Sequence, residues 1–169
     1  MTDRHQNDYR ANDERYIEPN LPLAPPDFGE RQKRQRELAA GANDANRAAV
    51  FDALASTGIR EVIVEFDGEG DSGQIEHLQA SDANGVVALP DRTVEMASAP
   101  WDCSELVTRC EPIGEAIETL CYALLSEHHG GWEINDGSYG LFTLDVPKRA
   151  IELTHHERYV AAKTSEYAY

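Results

Sequence analysis

A chain of 169 residues, 41% of them hydrophobic, has room for one substantial core, and its length favours one domain over two. Its formal charge is −16, unevenly spread: residues 1–36 hold seven Lys/Arg and seven Asp/Glu, whereas residues 37–169 hold eight and 24. Such a body repels nucleic acid and anionic lipid, which excludes direct DNA or RNA binding and a membrane surface and leaves a protein with a basic surface as the expected partner.

The start, "MTDRHQNDYR", lacks the hydrophobic stretch of a signal peptide, and no apolar run approaches the roughly 18 to 20 residues of a membrane span, so a cytoplasmic protein is expected. Residues 1–29 are polar and carry Pro19, Pro22, Pro25 and Pro26, which predicts a disordered or extended arm ahead of a single domain over residues 30–169. In "ERQKRQREL", Arg31, Lys33, Arg34 and Arg36 form a basic cluster on a helix face, solvated or docked on the acidic body. Asp44 is an N-cap candidate for a second helix to about Ser56, with Val50, Phe51 and Leu54 facing the core and Gly58 ending it.

A strand follows in "REVIVEFD", where Val62, Val64 and Phe66 alternate with Ile63, Glu65 and Asp67. "SGQIEHLQAS" reads as its hairpin partner, and shorter strands are expected at Val86–Leu89 and Thr93–Met96, separated by Pro90. Residues 98–111 read as loop. Pro112 then suits the first turn of a helix to about His128, whose Ile113, Ile117, Leu120, Cys121 and Leu124 make an amphipathic stripe. "LFTLDV" and "RAIEL" form a second hairpin around "PK". This order predicts an α+β fold, an antiparallel sheet built from hairpins with helices packed on one face. Cys103, Cys110 and Cys121 are odd in number and contain no C-x-x-C pair, so they are read as reduced thiols, with Cys121 a small core hydrophobe.

No complete catalytic constellation is present. The stretch "FDGEGDSGQIE" sets Asp67, Glu69 and Asp71 among glycines, but it fails the EF-hand pattern, which would need a glycine at Ser72 and a carboxylate at Leu78. It also lacks the lysine of a phosphate cradle, and its "GDSG" stands alone without the rest of a trypsin-like protease. A second loop, "HHGGWEINDGSYG", places Glu133, Asn135 and Asp136 among glycines with Trp132 and Tyr139 interleaved. In an antiparallel sheet the two loops fall at one edge and make a joint acidic site. Asp67, Glu69, Asp71, Glu133 and Asp136 are oxygen donors suited to Mg²⁺, Mn²⁺ or Ca²⁺, and Asp71, Trp132, Glu133, Asp136 and Tyr139 are the candidate partner-binding set. His128 and His129 end a helix and His155 and His156 follow the second hairpin, without the His-x-x-x-His spacing of a zinc hydrolase.

In "VEFDGEGDSGQIE", "AIETLCYALL", "GGWEINDGSYG", "FTLDV" and "IELTHHERY" the chain resembles a family of small uncharacterised bacterial proteins, mainly proteobacterial, classed as a domain of unknown function and often encoded on plasmids and other mobile elements. These stretches cover roughly residues 45–160, and Ile134 and Leu141 fall at positions where the pattern is loose. The resemblance implies a common fold and a loop site and supplies no catalytic residues. Two functions are expected from the whole: a non-enzymatic protein-binding module in mobile-element or defence-related biology, or alternatively a divalent-metal-dependent hydrolase or ligand-binding domain using the loop carboxylates.

Overall fold

A computed structural model describes residues 28–101 and 103–169; the expected N-terminal arm, except for its last two residues, lies outside the described residues. The elements run α1 (Phe28–Ala55), β1 (Glu61–Glu69), β2 (Ser72–Ser81), β3 (Val86–Val87), β4 (Thr93–Ser98), β5 (Val107–Pro112), α2 (Ile113–His128), β6 (Ser138–Asp145) and β7 (Ala150–Glu157). Five strands form one antiparallel sheet in the order β3-β2-β1-β6-β7, and β4 and β5 pair separately. The expected α+β class with an antiparallel sheet is what the chain adopts. No helix among the described residues is long and apolar enough to cross a membrane.

The period-2 pattern sets the inner face. Val62, Val64 and Phe66 of β1 lie beside Leu144, Phe142 and Gly140 of β6, which in turn lie beside Ile151, Leu153 and His155 of β7. The apolar residues among them join Val50, Phe51 and Leu54 of α1 and Ile117, Leu120, Cys121 and Leu125 of α2 in one hydrophobic core. On the outer face, Glu65, Tyr139 and His156 are exposed to solvent to different degrees. A bulge in β2 leaves Glu76 unpaired, and the neighbouring Ile75 N–H donates to the Tyr122 hydroxyl of α2 at 2.9 Å, anchoring sheet to helix.

Three expectations are corrected. The two N-terminal helices are one, because the buried stripe Ala42, Asn46, Val50 and Ala53 runs straight through the supposed start at Asp44. Alanines at 39, 40, 42, 45, 48 and 49 carry the helix past Gly41, whose missing side chain faces open space. Residues 107–112, expected as loop up to 111, form β5; of these only Glu111 is buried, so the strand has no apolar alternation to betray it. Pro112 is the N-cap of α2 rather than a first-turn residue, with φ −51° and ψ 144°.

Candidate functional site

The β1–β2 hairpin closes through two residues, Gly70 and Asp71, both left-handed at φ 62° and 65°. This is the backbone that a two-residue hairpin needs to match the right-handed strand twist, and Gly and Asp tolerate it. The loop is therefore short and stiff. The loop between α2 and β6 is likewise turned by left-handed residues, Gly131, Asn135 and Gly137.

The two loops meet because β1 and β6 are sheet neighbours, with Asp67 opposite Tyr139 and Gly68 opposite Ser138. Beyond the ladder, the Gly70 N–H donates to the Asn135 carbonyl at 2.9 Å and the Asp71 N–H to the Glu133 carbonyl at 3.0 Å. The Ser138 hydroxyl, buried, donates to the Trp132 carbonyl at 2.8 Å. Trp132 fills the space beneath the junction. Its ring stands edge-on to Phe66 at 5.5 Å and lies against Gly68 and Gly73; a Cβ at those glycines would fall 2.6 Å and 2.2 Å from ring atoms. A Cβ at Gly137 would fall 1.8 Å from the Gly68 carbonyl oxygen, so this glycine is needed for the two backbones to touch.

The five candidate metal carboxylates have separate environments. Arg158 grips Asp67 through two hydrogen bonds, 3.0 and 2.7 Å, and also donates to the Gly68 carbonyl. The Asp67 carboxylate, by hydrogen bonding first and by its charge, raises the Arg158 pKa above the usual guanidinium value. Asp71 accepts a long bond from the Asn135 N–H at 3.4 Å, and Asp136 accepts from the Val160 N–H at 3.1 Å. Glu69 is exposed, and one Glu133 oxygen is buried with no hydrogen-bond partner among the described residues. No three of these five bring carboxylate oxygens within 4.8 Å of one another. Of the candidate partner-binding residues, Asp71 and Tyr139 are exposed, Asp136 and Glu133 are half-buried, and Trp132 supports the loops from below.

Tyr139 lies on the outer face, stacked on His156 with centroids 4.9 Å apart and 4.8 Å from the Arg158 guanidinium. On the opposite side of the same edge is an open hollow of about 320 Å³, bounded by the α2–β6 loop, His129, His155, Glu157 and Arg158. His129, His155 and Glu157 bring donor atoms within 4.8 Å of one another. Sequence reading missed this group, although the alternation Ile151, Leu153, His155 already placed His155 on the inward face. Arg158 was missed as well; it follows the last strand and has no partner near it in sequence.

Against known proteins, the model of a family described as "Family of unknown function (DUF6878)" matches residues 42–169. No curated protein and no solved structure matches the chain.

Proposed function

This chain belongs to that family of unknown function, and from this premise we propose a non-enzymatic binding module whose recognition edge is the fused pair of loops and whose partner is a protein with a basic surface. The observation that carries the reading is the direct bonding of one loop to the other, Gly70 to Asn135 and Asp71 to Glu133. A preorganised edge loses less conformational entropy on association than two independent loops would. Glu69, Asp71 and Asp136 give it negative charge, and the −16 chain adds a long-range field that steers a basic partner. Tyr139 supplies a rigid aromatic surface next to the charge. Trp132 and Glu133 act from within, holding the loops. The resemblance to proteins of plasmids and mobile elements directs the reading to a cytoplasmic partner that handles nucleic acid or acts in host defence.

Capture of proteins from a bacterial lysate tests this, with the variant Asp71→Asn, Asp136→Asn as comparison. Asparagine at 71 keeps a residue that tolerates the left-handed backbone, and at 136 keeps an acceptor for the Val160 N–H, so charge is removed with little strain. Partner binding should fall steeply between roughly 0.05 and 0.5 M NaCl, as the screening length drops from about 10 Å near 0.1 M towards 3 Å at 1 M, and should be lost in the variant. A partner held equally well at both salt concentrations and by the variant would sink the proposal.

A further inference from the structure

We propose that His129, His155 and Glu157 form a binding site for one first-row divalent transition ion, with Zn²⁺ as the probe, in the hollow at the C-terminal end of α2. Three observations carry it. The donor atoms of the three residues already lie within 4.8 Å of one another, whereas two ligands on a tetrahedral zinc stand about 3.3 Å apart, given Zn–N distances of about 2.0–2.1 Å. The Nε2 atom of His155 is buried and has no hydrogen-bond partner among the described residues. Finally, the hollow of about 320 Å³ that these residues border leaves room for a water or further ligand on the ion's remaining position.

The two imidazole rings stack at 3.7 Å with planes 10° apart, so their in-plane lone pairs run in nearly parallel planes. One ring must turn for both to reach a single ion. His155 is fixed on β7 against Phe66, with ring centroids 6.0 Å apart, so His129, at the C-cap of α2, is the ring that turns. Two nitrogens and one carboxylate suit zinc, copper, iron or nickel, whereas magnesium and calcium prefer all-oxygen sites. This site is separate from the carboxylates of the recognition edge and stands without the protein-binding reading.

The test is calorimetric titration of the full chain with Zn²⁺ in a Cys103→Ser, Cys110→Ser background, because both thiols are exposed and would bind zinc themselves. One Zn²⁺ should bind per chain, at least about tenfold more weakly in His155→Ala and in Glu157→Gln and unchanged in Asp71→Asn. Since His155→Ala removes a ring packed on Phe66, Glu157→Gln is the variant that leaves the core alone, changing only an exposed carboxylate. Substituting Co²⁺ should give the visible absorption of a four-coordinate ion. The absence of Zn²⁺ binding up to about 1 mM, or binding that survives both substitutions, overturns the assignment.

Discussion

Trp132 shows how single residues decide this edge: an indole under the loops forces glycine at two facing positions. Gly73→Ala puts a Cβ 2.2 Å from the ring and should destabilise the protein by about 1–3 kcal/mol, the usual range for overpacking, read from urea unfolding. Adding Trp132→Leu should cost less than the sum of the single changes, because the clash and the ring are removed together. Cys121 has a different consequence. Burial, and then the charge of Glu118, push its thiol up to about 12, so the folded protein keeps a proton that the unfolded chain releases near pH 9. The unfolded state then binds fewer protons, so this contribution to stability is complete below pH 9 and is lost as pH rises towards 12. The slope is at most about 1.4 kcal/mol per pH unit. Urea midpoints measured at rising alkaline pH should fall more steeply in wild type than in Cys121→Ala. A thiol reagent should label exposed Cys103 and Cys110 in the native protein and reach Cys121 only after unfolding.

Among the elements, β4 depends on a side chain for one of its edges. Asn46 of α1, buried, donates to the Ala97 carbonyl at 2.8 Å and accepts from the Ala97 N–H at 2.6 Å, so its amide replaces a missing strand neighbour. Asn46→Ala leaves both backbone groups unpaired and should lower stability by about 2–6 kcal/mol, given roughly 1–3 kcal/mol for each unsatisfied group. An unchanged urea midpoint would show that water takes over the bonds. The two halves of α1 also differ: its buried residues are Ala42, Asn46, Val50, Phe51, Ala53 and Leu54, all in the second half. Amide exchange should therefore be faster over Phe28–Ala40 than over Ala42–Leu54, because packing, more than propensity, protects a helix.

For the whole molecule, net charge governs how stability responds to the solvent. An excess of sixteen negative charges repels itself in the compact state, so salt should raise the melting temperature by screening that repulsion. A rise of roughly 2–4 °C corresponds to about 1 kcal/mol for a domain of this size. A fall would mean that ion pairs such as Arg158–Asp67 and Arg149–Asp52 outweigh the general repulsion.

The sequence by itself determined what depends on local periodicity. The stripe Ile113, Ile117, Leu120, Cys121 on α2, the alternation Val62, Val64, Phe66 on β1, and the two hairpins β1–β2 and β6–β7 were all legible, and together they set the α+β class. The glycine-rich runs marked the two loops for the same reason, since tight turns and close backbone approach demand glycine. Elements without an apolar period were not legible: β5 is exposed along most of its length, and the unbroken α1 reveals itself only through a stripe that includes the polar Asn46. Tertiary structure alone decided which distant residues became neighbours. Pairing of β1 with β6 joined the loops, and pairing of Gly140 with His155 brought β7 alongside the end of α2, where His129 meets a histidine 26 positions away. Strand order is settled by which faces bury together against the helices, a non-local choice that no short window of residues records.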